Sequence, residues 1–314
     1  MGPVKLWRDV MNAQNPAASH GIAIQAVDLV KDYGTGDNTV HALRNVNVSF
    51  ERGKFTAIMG PSGSGKSTLM HTLAGLDSAT SGHILFGGAD LTRMNDKQLT
   101  LLRRHKIGFI FQSFNLLPMF TAEQNILMPL TLAGDKPDRA WFDLLVETLG
   151  LKQRLNHRPN ELSGGQQQRV AIARALITKP KLVFADEPTG NLDSVSSAEV
   201  LGFLKRSVNE LGQTIVMVTH DAVAASYADR AIVFADGQIV ADESNPTAET
   251  MNELLMAERE RATRTAVTST RADTLARLAG VEDVPNLPIT DAPLPPAGRT
   301  GTIRHARAAA QHTR

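Results

Sequence analysis

Hydrophobic and polar residues alternate where the globular part of the chain begins. Residues 22–27 and 45–50 both show this alternation, which is typical of half-buried antiparallel strands, and a polar turn lies between them at 31–38. Four later stretches are continuously apolar and predict buried strands. These stretches are 55–59, 107–111, 181–185 and 212–219, and a further strand at 83–88 closes in a glycine turn.

Helical spacing of apolar residues alternates with these strands. It predicts helices over 69–75, 96–104, 122–132, 139–149 and 164–177. Strands that alternate with helices indicate an α/β fold class, into which the last three helices are inserted as a helical stretch. A longer amphipathic pattern over 248–264 predicts a C-terminal helix, and Leu275, Leu278 and Val281 suggest a weaker one.

The changes in pattern along the chain suggest four segments. We expect a flexible N-terminal arm at 1–21, a globular domain at 22–245 and a C-terminal helix at 246–264. Residues 265–314 are expected to be an accessory, largely disordered tail, because the proline-rich stretch at 284–296 cannot build a core.

Composition excludes several classes of protein. The chain has 314 residues and no cysteine, which excludes disulfides, zinc–thiolate sites and thiol nucleophiles. A net charge of +1 argues against wholesale nucleic-acid binding. No apolar run approaches the roughly 18 residues of a membrane helix, and no secretory signal is expected at the N-terminus.

A glycine-rich loop joins the strand at 55–59 to the helix after it. The pattern G-x-x-x-x-G-K-[ST] is met by Gly60, Gly65, Lys66 and Ser67. Glycines let consecutive N–H groups turn toward one anion, and the helix N-terminus adds its positive dipole end. An incidental glycine–serine turn is the alternative, but the strand before and the helix after favour a phosphate loop. The candidate loop residues are Gly60, Pro61, Ser62, Gly63, Ser64, Gly65, Lys66, Ser67 and Thr68.

A second helix start has the same character. Ser163 is a good N-cap, and it is followed at once by Gly164 and Gly165. A plain capped helix explains Ser163 but not the paired glycines, which reduce helix stability. The sequence therefore predicts a second anion-binding helix N-terminus in the same chain.

Charged side chains follow two of the buried strands. Asp186 and Glu187 end the strand at 181–185, where ligands bind in open α/β sheets. Asp186 can hold Mg²⁺ through water, and Glu187 can polarise an attacking water. His220 ends the strand at 212–219 and is either a structural histidine or a contact to a γ-phosphate.

Two features leave alternatives open. Tyr33 is either a small packing anchor or an exposed ring that stacks on a purine. The loop at 113–120 is rich in apolar residues, and it either packs into the core or forms a partner surface.

Together these motifs resemble the nucleotide-binding subunit of ABC transporters over about residues 24–242. The stretches that carry the resemblance are GPSGSGKST at 60–68, Gln112, LSGGQQQR at 162–169, LVFADEP at 182–188, GNLD at 190–193 and VTHD at 218–221. The resemblance implies a P-loop NTPase core with an antiparallel β subdomain and a helical signature subdomain, plus a C-terminal extension. It also implies that the chain hydrolyses ATP with Mg²⁺.

The resemblance assigns roles to individual residues. Residues 60–68 and Tyr33 would bind ATP, with Tyr33 stacked on the adenine. Ser67, Gln112 and Asp186 would hold the metal, and the catalytic residues would be Glu187, His220, Lys66 and Gln112. The residues that act across a dimer interface would be Ser163, Gly164, Gly165, Gln166 and Asp193.

A narrower resemblance is to the group of ABC ATPases that serve lipoprotein-releasing, macrolide-exporting and bacitracin-type peptide exporters. It is carried by FQSFNLLP at 111–118, FADEPTGNLD at 184–193 and VTHDAVAASY at 218–227. It implies a head-to-tail homodimer at the cytoplasmic face of the plasma membrane. The partner would be a polytopic permease with an extracytoplasmic domain, to which the ATPase often transmits force rather than moving substrate through the membrane.

Two other function classes compete with this expectation. A soluble ABC ATPase that acts on nucleic acid or the ribosome usually carries two cassettes or a long coiled coil, and neither pattern occurs in this sequence. A purely regulatory nucleotide-binding module is disfavoured by the presence of both Glu187 and His220.

Overall fold

The computed structural model describes residues 21–278, with side chains described through Arg264 except at Asp37 and Ala262. The arm expected at 1–21 therefore lies outside the described residues except for Gly21, and so does the tail beyond Leu278. Within 21–278, no helix is both long and apolar enough to cross a membrane.

An antiparallel sheet contains the two alternating segments at the start of the chain. Its strands are β1 (Ile22–Tyr33), β2 (Val40–Glu51), β4 (Ser81–Phe86) and β5 (Ala89–Asp90), in the order β2-β1-β4-β5. The alternation predicted this pairing correctly, but the predicted turn began too early. Lys31 to Tyr33 belong to β1, because Lys31 is buried and pairs with Leu43 across the sheet.

A second sheet of six strands forms the centre of the molecule. Its strands are β3 (Phe55–Met59), β6 (Ile107–Phe111), β7 (Leu182–Asp186), β8 (Ile215–Val218), β9 (Arg230–Ala235) and β10 (Gln238–Ser244). The order is β10-β9-β3-β8-β7-β6, parallel throughout except for β10. The strand before the phosphate loop, β3, therefore lies inside the sheet with every residue buried.

Helices cover this sheet and form a separate helical layer. They are α1 (Lys66–Leu73), α2 (Asp96–Lys106), α3 (Ala122–Ala133), α4 (Arg139–Thr148), α5 (Gly164–Leu176), α6 (Ser194–Leu211), α7 (Ala222–Ala225) and α8 (Ala248–Leu278). Asn95, Thr121 and Ser163 start α2, α3 and α5 with reciprocal capping hydrogen bonds, which explains why their sequence boundaries were predictable. The pattern did not single out α6, β9 or β10.

The C-terminal helix differs from the prediction. It was expected to end at residue 264, but α8 continues to Leu278, so 265–278 are helical and the predicted boundary was wrong. The reason is local, since no glycine or proline occurs between Ala248 and Ala279. The boundary between the chain's two compact units falls between Thr263 and Arg264.

Candidate nucleotide-binding site

The phosphate loop has a backbone that only glycine permits at two positions. Gly60 has φ 146°, and a Cβ there would lie 1.9 Å from the carbonyl oxygen of Phe234. Gly65 has φ 100°, and its Cβ would lie 2.4 Å from the carbonyl oxygen of Ala42. These close approaches bring β2 and β9 against the loop, so the motif glycines are required by tertiary packing as well as by turn geometry.

Lys66 begins α1 and turns back into the loop. Its Nζ donates to the Pro61 carbonyl at 2.6 Å and to Ser64 Oγ at 3.4 Å. Burial lowers the pKa of Lys66, and the nearby carboxylates of Glu187 and Asp186 partly oppose that shift. The loop therefore presents a desolvated ammonium group, which favours an anionic ligand beside it.

Asp186 lies at the end of β7, next to the first turn of α1. Its Oδ1 accepts a hydrogen bond from Ser67 Oγ at 3.4 Å, and its Oδ2 is 3.9 Å from His71 Nε2. Burial raises the pKa of Asp186 and the charge of Glu187 adds to the rise, against the opposing effects of His71 and Ser67. Carboxylate and hydroxyl oxygens are the ligands Mg²⁺ prefers, and Mg²⁺ usually keeps several waters. This small donor set therefore fits Mg²⁺, although the described residues form no cluster of three or more His, Asp or Glu side chains around a metal position.

Glu187 and His220 form a pair at the ends of β7 and β8. His220 Nδ1 lies 3.0 Å from Glu187 Oε1, and both residues line the same cavity. Glu187 has φ 45°, a left-handed conformation that is uncommon for a residue with a side chain. Its N–H donates to the Val218 carbonyl and its carbonyl accepts from Gly190, so the surrounding loop stabilises that conformation.

These groups surround a cavity of about 730 Å³ at the carboxyl edge of the parallel strands. Its volume lies within the range of small-molecule sites, about 300 to 1,000 Å³. The cavity is lined by Tyr33, Val40, His41, Ala42, Arg44, residues 62–68, Glu187, His220, Asp236 and Gly237. The structure thus brings most of the predicted loop, Tyr33, Glu187 and His220 together.

The other predicted residues lie outside the lining of this cavity. Gln112 follows Phe111, which pairs with Asp186, so it occupies the same sheet edge without reaching the cavity wall. Ser163 and Gln166 bond each other's backbone at the start of α5, and Asp193 caps α6. Within one chain, none of Ser163, Gly164, Gly165, Gln166 and Asp193 lines the cavity that the phosphate loop borders.

Sequence reasoning missed several residues that shape the site. Val40 and His41 come from β2, and Asp236 and Gly237 come from the β9–β10 turn, so only tertiary pairing brings them to the cavity. Asp77 follows α1 and accepts a hydrogen bond from the Tyr33 hydroxyl at 2.5 Å. No local motif indicated a role for Asp77. The only signal in the sequence was its position shortly after the phosphate-loop helix.

Comparison with known proteins agrees with this geometry. The family model described as ABC transporter matches residues 43–190. The chain is 48% identical over 221 residues to the lipoprotein-releasing system ATP-binding protein LolD of Geobacter metallireducens, an alignment covering 70% of this chain and 98% of that protein. It is 47% identical over 213 residues to the macrolide export ATP-binding/permease protein MacB of Bdellovibrio bacteriovorus, covering 68% of this chain. It spans only 33% of that longer protein.

A solved structure gives the same result for the fold. It is a dimeric ATP-binding cassette in a post-hydrolysis state bound to ADP and Pi, 40% identical to this chain with a TM-score of 0.65. The match covers 71% of this chain and 98% of that one. One relative is matched over nearly its full length, and the family model and the phosphate-loop cavity agree with that match. The chain therefore belongs to the ABC transporter family and is an ATP-hydrolysing, nucleotide-binding subunit.

Proposed function

We propose that this ATPase works in an export or mechanotransmission system, where it drives a membrane permease at the cytoplasmic face of the plasma membrane. The observation that carries the catalytic part is the single cavity shared by the phosphate loop, Glu187 and His220. The names of the relatives, a lipoprotein-releasing protein and a macrolide exporter, support the substrate class: lipoproteins, peptides or antimicrobial compounds.

In the proposed mechanism, Glu187 accepts the proton of the water that attacks the γ-phosphate. His220, 3.0 Å from the carboxylate, fixes its orientation and contacts the γ-phosphate. Lys66 and the loop N–H groups hold the β- and γ-phosphates, and Tyr33 stacks on the adenine. Ser67, Asp186 and Gln112 would hold Mg²⁺, which would neutralise charge on the phosphates.

A second copy of the chain completes each site. Ser163, Gly164, Gly165 and Gln166 form the N-terminus of α5 on a surface away from the chain's own cavity. A helix N-terminus carries a partial positive charge that attracts anions, so this helix start binds the ATP held by the opposite subunit. Asp193 lies close by, in the loop that crosses the interface of this head-to-tail dimer. The dimeric cassette among the related structures supports this arrangement.

The permease docks beside the loop at 112–120. A groove of about 470 Å³ there is lined by apolar side chains such as Phe109, Phe111, Met128 and Leu132. Met119 and Leu132 are 64% and 68% exposed. Three arginines and no acidic residue are among the described residues that line the groove, namely Arg103, Arg104 and Arg174. This chemistry favours an amphipathic cytoplasmic helix, which would come from a polytopic permease that also carries an extracytoplasmic domain.

Arg174 links this groove to α5, the helix to which it belongs. The guanidinium is buried and donates to the carbonyls of Phe114 and Asn115, both at 2.6 Å. Those two residues have positive φ, 58° and 50°, so the arginine stabilises an uncommon loop conformation next to Gln112. Arg174 therefore joins α5 directly to the loop at 112–120.

Phosphate release by the purified chain tests the catalytic proposal. The wild-type chain with Mg²⁺ and ATP should release phosphate, and Lys66→Ala should bind nucleotide more weakly because it removes the ammonium that contacts the phosphates. Unchanged nucleotide affinity in Lys66→Ala would contradict the assignment of the phosphate loop.

Co-purification from native membranes tests the partner. A polytopic membrane protein should copurify with the wild-type chain. The double variant Leu116→Ser/Leu117→Ser should keep the basal ATPase activity, but its ATP hydrolysis should no longer be coupled to the permease. Leu144→Ser, at a 46% exposed leucine on α4, is the control for a leucine-to-serine change away from the loop. Recovery of ribosomes or nucleic acid in place of a membrane protein would favour the soluble alternative, and normal coupling in the double variant would refute the docking loop.

A further inference from the structure

A hydrogen-bonded trio lies behind the proposed adenine position. Tyr33 OH donates to Asp77 Oδ2 at 2.5 Å, and Lys31 Nζ donates to Asp77 Oδ1 at 2.7 Å. Lys31 Nζ also donates to the Ser78 carbonyl at 2.8 Å. One carboxylate therefore fixes two side chains of β1, and these are two residues apart on the same side of the strand.

The lysine lies against one face of the tyrosine ring. Its Nζ is 4.6 Å from the ring centroid, and only 10% of its side chain is exposed. A cation at this distance is attracted to the ring's negative face. Tyr33 is nevertheless 42% exposed and lines the nucleotide cavity. One face of the ring is thus covered by Lys31, and the opposite face is open to a ligand.

The charges of the trio are mutually supporting. Burial would raise the pKa of Asp77, but hydrogen bonds from Lys31 and Tyr33 outweigh that effect and hold the pKa below its ordinary value. Burial and the hydrogen bond to Asp77 raise the pKa of Tyr33, so the phenol stays a donor. The hydrogen bond therefore fixes the position of the phenol oxygen, since a change in χ1 of Tyr33 would break a charge-assisted hydrogen bond, and Lys31 packed over the ring favours its present plane.

We propose that Asp77, together with Lys31, is a positioning residue for the nucleotide base: it holds the Tyr33 ring as a preformed platform with one face on the ammonium and the other toward the base. The proposal rests on the proposed adenine position over Tyr33 and adds the residues that set it. A preformed platform spares the binding reaction the entropy of ordering an exposed side chain. The platform therefore contributes to the binding free energy of the base and not to that of the phosphates, which bind at the loop.

The test compares two ligands by calorimetry with the full chain: ATP and inorganic tripolyphosphate, each with Mg²⁺. Tyr33→Phe keeps the ring but removes the tether, and Asp77→Asn weakens the tether from the other side. Each should weaken ATP binding by about three- to tenfold, the cost of ordering one freed side chain. Tripolyphosphate binding should not change, and the double variant should be no weaker than the weaker single variant.

Asp90→Asn is the matched control. Asp90 is a half-buried carboxylate in the same sheet that binds His83 Nδ1 at 2.9 Å and does not line the cavity. The ATP affinity of Asp90→Asn should equal that of the wild type. Unchanged ATP affinity in Tyr33→Phe, or equal weakening of both ligands, would overturn the role of Asp77. A wild-type chain that bound ATP no more tightly than tripolyphosphate would instead overturn the adenine position itself.

Discussion

At the scale of single residues, the proposed chemistry depends on side chains that are buried or constrained against their preference. Lys66 is desolvated, Asp186 is half-buried beside another carboxylate, and Glu187 has a left-handed backbone. Each of these features is unfavourable in isolation, and the surrounding packing maintains it. Such a set of residues is typical of a site that binds a charged ligand rather than of a core designed for stability.

The first prediction concerns Glu187→Gln. This change removes the proposed base and keeps the shape of the side chain, so ATP should still bind while turnover falls by about 10² to 10⁴. The variant should accumulate as an ATP-bound closed dimer, which size-exclusion chromatography with light scattering would detect. Glu147→Gln, at an exposed position of α4, should behave as wild type. Wild-type turnover in Glu187→Gln would mean that another group is the base.

At the scale of elements, a few polar side chains join segments that are distant in sequence. Asp229 precedes β9; its carboxylate accepts from the Phe55 N–H at 2.9 Å and from Lys205 Nζ at 2.5 Å. It therefore joins the start of β3, the strand before the phosphate loop, to α6. Asn125 on α3 is fully buried and bonds the Leu117 N–H and carbonyl, which fixes the loop at 113–120. Buried groups with this many partners are costly to remove.

The second prediction is a pH dependence at Asp229. Burial would raise its pKa, but hydrogen bonds from Lys205 and Phe55 lower it below the ordinary value. The stabilisation is therefore complete above the unfolded-state pKa, near pH 4, and is lost as the pH falls through the lower folded-state value. At pH 7, Asp229→Asn should reduce the free energy of unfolding by about 1 to 2 kcal/mol.

Urea unfolding at a series of pH values checks this prediction. The difference between the wild type and Asp229→Asn should stay constant from pH 7 to about pH 4 and shrink below it, because the wild-type carboxyl becomes protonated only as the pH falls through its lowered folded-state pKa. Asp143→Asn, at an exposed position of α4, is the control for loss of a surface charge. A difference that stayed constant below about pH 4 as well would show that the ion pair does not contribute.

At the scale of the whole molecule, two sheets converge on one cavity, and the helical layer that contains α5 lies apart from it. The antiparallel sheet supplies Tyr33 and Val40, and the parallel sheet supplies the phosphate loop, Glu187 and His220. Ser163 and the glycines after it lie at the start of α5, in the helical layer, and do not line that cavity. This separation is the reason that we propose a dimer.

The third prediction separates the C-terminal helix from the segment after it. Met251 is fully buried, and Leu254 and Leu255 pack against the core. Deletion from residue 248 should therefore lower the melting temperature, whereas deletion from residue 265 should leave ATP hydrolysis and melting temperature close to wild type. Thermal unfolding and phosphate release would measure both. Loss of hydrolysis on deletion from residue 265 would give the segment a regulatory or dimer-stabilising role.

A matched pair of point variants removes the ambiguity of deletions. Met251→Ala should cost about 2 to 5 kcal/mol, as for other buried methionines. Met256→Ala on the same helix should cost little, since Met256 is 64% exposed. Equal effects of the two would mean that the helix does not stabilise the core through Met251.

Much of this protein was determined by local sequence. Continuous apolar runs predicted β3, β6 and β7 nearly to the residue, because a strand covered on both faces is mostly apolar along its length. The phosphate loop, Asp186, Glu187 and His220 were predictable because strand ends in a parallel sheet meet at one edge. Motif spacing then identified the family, and comparison with known proteins confirmed it.

Other features were decided only by tertiary structure. The extension of β1 through Lys31 and Tyr33 depends on its pairing with β2. The placement of the two side chains depends on Asp77, 44 residues from Tyr33 in sequence, whose carboxylate binds both of them. The contributions of β2 and of the β9–β10 turn to the cavity depend on close backbone approach at Gly60 and Gly65. Local patterns record which face of an element is apolar, and they do not record which distant backbone or charge will meet it. The orientation of Tyr33 and the walls of the nucleotide cavity were therefore set by packing between elements, after the sequence had determined the elements themselves.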